Sequence, residues 1–148
     1  MPFHFPLDAV LHFRQSLEHQ QELRLRAANQ QVAAVRKLID LIDERVHQSR
    51  IGFSQALALG TTSAEMGFAL ASRASLHRKR EDLERELNRR KGLRDQQQQI
   101  FQQARRERET FATLRDRQLH EYNRNEARLE QRQLDDLFLL RRSYLRRG

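Results

Sequence analysis

The absence of proline from almost the whole chain is the feature that most limits its fold. Both prolines, Pro2 and Pro6, lie at the very start of the 148 residues, so no proline occurs from Leu7 to Gly148. Proline breaks helices, whereas the abundant Leu, Arg, Glu, Gln and Ala residues favour them. The β-branched residues that favour strands are scarce. The sequence therefore predicts an all-α protein built from long helices.

The first half of the chain carries a heptad repeat of mostly apolar residues. One line of positions, seven residues apart, consists of Leu25, Val32, Ile39, Val46 and Phe53. A second line, three residues further on, consists of Ala28, Val35, Ile42, Ser49 and Ala56. A double line sustained over more than four heptads is typical of a coiled coil. Upstream, the residues expected on the same side are Leu7, Val10, Leu11 and Leu17.

The repeat stops at the segment LALGTTSAEMG, residues 57–67. Gly60 can adopt the left-handed conformation that ends a helix, and Thr62 followed by Glu65 fits a capping box that starts the next one. We therefore predict a first helix over about residues 6–57, a turn over about 58–62 and a second helix over about 63–146. The glutamine-rich segment 94–103 is expected to be helical, because Gln is a good helix former.

The second helix has a thinner apolar line, in which spacings of 7, 11 and 4 mix. Its predicted members are Leu76, Leu83, Leu87, Leu93, Ile100, Ala104, Phe111, Leu114, Tyr122, Leu129, Leu137, Leu140 and Tyr144. A helix this polar is not stable alone, so the two lines should bury each other. The predicted fold is a single domain over residues 1–148, a long two-helix antiparallel coiled-coil hairpin. The longer second helix should overhang at its C-terminus by roughly 30 residues, or about 50 Å.

The charge distribution leaves two interpretations open. The net charge is +8, with nine Lys/Arg against four acidic residues over 73–94 and twelve Arg against eight acidic residues over 105–147. Mixed signs of this kind are typical of a solvated helix face with i,i+4 ion pairs. The same zones could bind an acidic protein, nucleic acid or anionic lipid. Phe3, Phe5 and Phe13 are similarly open, because they could close the end of the hairpin or dock a partner.

No motif for catalysis is present in the sequence. Gly60 is followed by Thr-Thr rather than the Lys-Ser/Thr of a phosphate-binding loop, so no ATP hydrolysis is expected. There is no cysteine, and the six histidines form no HExxH motif. We therefore expect a non-enzymatic protein without cofactor or metal.

Both ends of the chain resemble FliJ-type flagellar export proteins. The segment FHFPLDAVLHFRQSLEHQQ, residues 3–21, is similar to their N-terminal region. The segment LRDRQLHEYNRNEARLEQRQLDDLFLLRR, residues 114–142, is similar to their C-terminal region, with Leu-Asp-Asp where Leu-Asp-Glu would be expected. The resemblance implies an antiparallel coiled coil similar to the central stalk of rotary ATPases.

The resemblance also implies partners and a location. The end that bears both termini would insert into the hexameric flagellar export ATPase. Other contacts would be made with the cytoplasmic part of the export-gate membrane protein and with flagellar export chaperones, at the cytoplasmic face of the inner membrane. The residues expected to bind the ATPase ring are Leu7, Leu11, Leu129, Leu134, Leu137, Phe138, Arg141 and Arg142. Those expected to bind the export gate are Leu70, Leu76 and Leu83.

Two alternatives remain open at the level of sequence. The overhang could be covered by a second copy, which would make the chain a self-associating structural coiled coil. The basic zones could instead bind nucleic acid, although aromatic residues for base stacking make up only 7% of the chain and no recognition motif is present. If the chain is a FliJ-type protein, no nucleic acid partner is expected.

Overall fold

The computed structural model describes residues 1–147, which form two long helices joined by a short turn. Helix α1 spans Asp8–Leu59 and helix α2 spans Ser63–Arg147, with no strand among the described residues. The all-α, two-helix prediction is confirmed. The glutamine-rich segment 94–103 is helical throughout, as predicted.

The predicted capping box forms at the start of α2. The Glu65 amide donates a hydrogen bond to the Thr62 hydroxyl at 3.2 Å, and the Thr62 amide donates to the Glu65 carboxylate at 3.4 Å. Gly60 has a φ of 88°, the left-handed conformation that a residue with a side chain rarely adopts. Leu59 is still helical, so the turn is shorter than the predicted 58–62.

The contacts divide the chain into two compact units. Unit 1 joins Met1–Glu18 to the α2 residues from Gln103 onward, and unit 2 consists of His19–Gln102. Each unit pairs part of α1 with part of α2. The single domain over residues 1–148 stays a prediction.

The predicted heptad of α1 forms the core of unit 2. All ten positions of the two lines from Leu25 to Ala56 are buried or half-buried. The fully buried members are Val32, Val35, Ile39, Ile42 and Val46, each no more than 8% exposed. Burying an aliphatic side chain of this size stabilises a fold by about 1.5–3 kcal/mol relative to leaving it in water. These five residues are the most deeply buried apolar side chains of unit 2.

Helix α2 faces this core with a heptad whose leucines, Leu76, Leu83 and Leu87, were predicted, whereas its polar members were missed. The half-buried positions of α2 in unit 2, at alternating steps of four and three, include Leu76, Arg80, Leu83, Leu87, Arg90, Arg94, Gln97 and Phe101. The prediction that Leu93 and Ile100 lie on this line was wrong, since they are 45% and 50% exposed. Arg94 and Phe101, one position further on, take their place. The aliphatic stems of arginine can pack on apolar surface while their charged ends reach water or a partner.

Polar side chains connect the two helices of unit 2 at three levels. Gln97 donates to the Gln21 side chain at 2.7 Å, and Arg90 donates to the Gln31 side chain at 2.5 Å. Arg80 donates to Asp43 at 2.6 Å. From Gln21 to Asp43 along α1, the partner residues on α2 run from Gln97 back to Arg80, so the helices of unit 2 are antiparallel.

In unit 1 the same heptad continues through charged residues. Arg14 donates to Glu107 at 2.6 Å, and the Nε of Arg108 donates to Glu18 at 2.5 Å. The Glu18 carboxylate raises the pKa of Arg108, chiefly through this hydrogen bond. From Phe3 to Glu18 the contacted residues of α2 run from Tyr122 back to Arg108, so the two segments of unit 1 are antiparallel as well.

The segment before α1 is not helical and packs against α2. Phe5 is only 3% exposed, and the Phe3 ring lies 5.5 Å from the Tyr122 ring. Phe3 and Phe5 therefore pack within unit 1, whereas Phe13 is 58% exposed. Leu11 is buried as well, at 5% exposure.

This non-helical segment shortens the overhang of α2. Glu126 is the last half-buried residue, and every described residue from 127 to 147 is exposed. The overhang is therefore roughly 20 residues, or about 30 Å, rather than the roughly 30 residues predicted. The prediction counted helical residues only, and residues 1–7 cover α2 without being helical.

The Glu18–Arg108 pair is expected to contribute measurably to stability. In a double-mutant cycle of Glu18→Ala and Arg108→Ala, we expect a coupling of about 1 kcal/mol, because both side chains are largely shielded from water. The matched pair Arg105–Glu109 is exposed and lies within one helix, so its coupling should be only about 0.3–0.5 kcal/mol. Urea unfolding followed by circular dichroism measures both. Equal couplings would show that the cross-helix pair stabilises the protein no more than an exposed pair within one helix.

Glu86 is expected to make stability sensitive to acid. Hydrogen bonds from Arg89 and Arg90 lower its pKa from 4.5 to about 2. Because the folded pKa is the lower one, the stabilisation is present above pH 4.5 and disappears as the pH falls towards 2. Wild type should therefore melt above Glu86→Gln at neutral pH and together with it near pH 2. Glu44 accepts a bond from Gln48 rather than from an arginine, so Glu44→Gln is the control. A melting difference for Glu86→Gln that did not change with pH would contradict this account.

Candidate partner-binding surface

The overhang, residues 127–147, presents a dense set of apolar side chains without a partner in unit 1. Each of them is between 49% and 80% exposed. They are Leu129, Leu134, Leu137, Phe138, Leu139, Leu140, Tyr144 and Leu145. Exposed apolar area this dense is typical of an interaction site.

One face of the overhang collects most of the predicted binding residues. Successive residues of a helix are about 100° apart, which places Leu134, Leu137, Phe138, Arg141 and Leu145 within an arc of about 100°. Phe138, Arg141 and Leu145 also border one shallow recess together with Arg142 and Arg146. The geometry therefore supports a joint role for these residues.

This face does not continue the line by which α2 contacts α1. The unit 1 line runs through Gln118 and Tyr122, which are half-buried. Leu134 follows Tyr122 by twelve residues, so its side chain is turned roughly 120° away from that line. The apolar face is thus not an unused extension of the intramolecular seam, and it suits a different partner.

The helix is apolar on all sides over one turn. Leu137, Phe138, Leu139 and Leu140 are consecutive, so together they surround the helix axis, and each is at least 59% exposed. A helix that is hydrophobic all round is normally enclosed by other protein or by lipid. An enclosing site fits this turn better than a flat one.

Positive charge follows directly after the apolar turn. Arg141, Arg142, Arg146 and Arg147 lie in the last part of α2, where cations interact favourably with the helix dipole. Among residues 1–147, none of these four arginines forms an ion pair with a carboxylate of the chain. Their guanidinium groups are therefore available to acidic or carbonyl-rich surface on a partner.

The remaining predicted residues are spread out. Leu7 is 36% exposed just before α1, and Leu129 lies on the overhang about 140° away from Leu134. Leu11 is only 5% exposed, so its role is packing inside unit 1, and its assignment to the binding surface is corrected here. The spacing of the sequence placed Leu11 on the apolar side of α1, but it did not show that α2 covers this side chain.

The residues predicted to bind the export gate lie in unit 2. Leu70 is 53% exposed, whereas Leu76 and Leu83 are half-buried in the contact with α1. The structure therefore leaves Leu70 as the accessible member of the three.

Sequence reading left Leu139, Leu140, Tyr144 and Leu145 out of the site. It placed Leu140 and Tyr144 on the apolar line of the second helix, in the part that the first helix does not cover, and they are 66% and 80% exposed. The run LFLL itself was the available signal, because four consecutive apolar residues fit neither a helix with one buried face nor a heptad.

No described helix is both long enough and apolar enough to cross a membrane.

A sequence model of the family described as "Flagellar FliJ protein" matches residues 3–148, almost the whole chain. Searches among curated proteins and among solved structures gave no match. The family match agrees with the two-helix architecture and with the resemblance at both ends of the sequence. The chain therefore belongs to the FliJ family and is a component of the flagellar export apparatus.

Proposed function

We propose that the chain acts as a central stalk whose overhang inserts into the hexameric flagellar export ATPase. The observation that carries the proposal is the turn Leu137–Leu140, which is apolar on all sides and uncovered within unit 1. A ring of subunits encloses such a turn completely, which a partner on one side does not. In this proposal the ATPase performs the chemistry and the stalk couples it to export.

The charge of the overhang supports the same arrangement. The apolar turn would be held by hydrophobic contacts inside the ring. Arg141 and Arg142, which follow it, would meet acidic or carbonyl-rich surface and orient the helix. Leu129 and Leu134 would extend the contact toward the start of the overhang, and Leu7 would lie at its edge.

Self-association explains the overhang less well. Two parallel or antiparallel overhangs would bury one face each, as in any two-stranded coiled coil. The face with Leu134, Leu137 and Phe138 would then be covered, whereas Leu139, about 140° away from Leu134, would stay in water. A ring accounts for both sides of the helix.

Family membership extends the proposal to two further partners. The cytoplasmic part of the export-gate membrane protein would contact unit 2 chiefly through Leu70. Leu76 and Leu83 are half-buried, so only part of each side chain could take part. Flagellar export chaperones would be the other partners. The chain would then work at the cytoplasmic face of the inner membrane.

Charges introduced into the apolar turn should abolish ATPase binding. The double variant Leu137→Asp/Phe138→Asp is expected to weaken binding to the export ATPase by at least about tenfold, because charged groups would enter an apolar enclosure. The control is Leu38→Asp/Leu41→Asp, since these leucines of α1 are 48% and 59% exposed but lie in unit 2. Circular dichroism checks that both variants stay helical, and analytical ultracentrifugation measures binding and ATPase hexamers.

The outcomes separate the three functions. Normal binding by Leu137→Asp/Phe138→Asp would rule out the overhang as the docking site. A stable dimer of the free chain that dissociates on Leu134→Asp would favour self-association. Steeply salt-dependent binding to DNA or RNA, without binding to the ATPase, would favour the nucleic-acid alternative.

A further inference from the structure

The turn between the two helices forms a second exposed apolar surface, in unit 2. We call residues 57–70 the tip. Its large apolar side chains Leu57, Leu59, Phe68 and Leu70 are 48%, 89%, 76% and 53% exposed. They lie on the last turn of α1 and the first two turns of α2, on either side of Gly60. This surface is not part of the overhang.

The tip is almost free of charge. From residue 51 to residue 72 the only charged side chain is that of Glu65. Its carboxylate accepts hydrogen bonds from the Thr61 hydroxyl and the Thr62 amide, so its charge is used locally to start α2. The first turns on both sides of Gly60 can therefore leave water without exposing an unpartnered carboxylate to an apolar medium.

Free cations lie directly behind the tip on both helices. Arg45 and Arg50 precede it, and Arg73, Arg78 and Lys79 follow it. Within the described residues, 1–147, none of these five forms an ion pair, whereas Arg80 is bound to Asp43 and Glu84. The tip is thus an apolar end, and behind it lie cations that form no ion pair with a carboxylate of the described residues.

The spacing of these two parts matches the depth of a lipid interface. Leu59 and Phe68 lie within about 8 Å of the end of the hairpin, and Arg50 and Arg73 lie about 15 Å behind it, at 1.5 Å per residue. Apolar groups of interfacial proteins are buried about 5–10 Å deep, and cations beside them bind anionic headgroups. The side chains of arginine are long enough to reach that layer.

We propose that the tip inserts into the surface of an anionic phospholipid membrane. Leu59 and Phe68 enter the boundary between headgroups and acyl chains, and Arg50 and Arg73 bind the headgroup phosphates. A second copy is a poor occupant, because it would bring five unpaired cations against five more. Nucleic acid would meet the cations but would leave the apolar end in water. The proposal is independent of the ATPase contact, since it uses no residue of the overhang.

Vesicle sedimentation with the full-length chain tests this assignment. The chain should bind vesicles of phosphatidylcholine mixed with phosphatidylglycerol, bind vesicles of phosphatidylcholine alone much less, and lose binding as salt rises. Leu59→Ser/Phe68→Ser should lower partitioning by at least about tenfold, because two large apolar side chains no longer enter the membrane. Arg50→Gln/Arg73→Gln should reduce the difference between the two kinds of vesicle.

Leu139→Ser/Leu140→Ser is the matched control, because it removes two similarly exposed apolar side chains from unit 1. If this variant lost vesicle binding while the tip variant kept it, the overhang would be the membrane site and the proposal would be wrong. The proposal would equally fail if wild type ignored anionic vesicles. Binding of the tip to the export-gate protein alone, with no lipid binding, would assign the tip to a protein partner instead.

A fluorescent probe reports on insertion directly. The chain has no cysteine, so Ser63→Cys places a single environment-sensitive label at the tip and Ser143→Cys places one on the overhang. Anionic vesicles should shift the emission of the Ser63→Cys label to the blue and leave that of the Ser143→Cys label unchanged. The reverse pattern, or no shift at either site, would overturn the proposal.

Discussion

The structure depends on one constraint. Both helices are very polar, and each has only a narrow line of side chains that can pack against the other helix and exclude water. On α1 that line contains Val32, Val35, Ile39, Ile42 and Val46, the most buried group in unit 2. Helix α2 contributes no buried residue at all. Its half-buried leucines and arginine stems cover the α1 line without being enclosed themselves.

The polar residues on and beside these lines have a role that apolar residues could not take. Gln21 meets Gln97, Gln31 meets Arg90, and Asp43 meets Arg80. A slip of one helix by a heptad would keep apolar contacts but would separate these donors from their acceptors. Polar residues at core positions are known to fix register in coiled coils at some cost in stability. This account explains why the helices of unit 2 adopt one pairing although the apolar line on α2 is weak.

Sequence reasoning predicted what depends on local chemistry and on one helix at a time. The α1 heptad, the Gly60 turn and the Thr62–Glu65 capping box are all confirmed. The polar half of the α2 heptad was missed because a search for apolar periodicity passes over Arg90, Arg94 and Gln97, although it found Leu76, Leu83 and Leu87. The length of the overhang was overestimated because residues 1–7 cover α2 without forming a helix. Burial of Leu11 likewise depends on which α2 residues lie opposite, which the sequence of one helix does not show. The apolar overhang was predicted, and the match over residues 3–148 supports the family.

The central claim about function is that the turn Leu137–Leu140 becomes enclosed by the export ATPase. Hydroxyl-radical footprinting of the chain, alone and with the ATPase, measures the accessibility of each side chain in that turn. The account predicts that all four side chains react in the free chain and that all four are protected in the complex. Protection of only Leu137 and Phe138 would indicate docking on one face, and unchanged reactivity at all four would contradict the stalk.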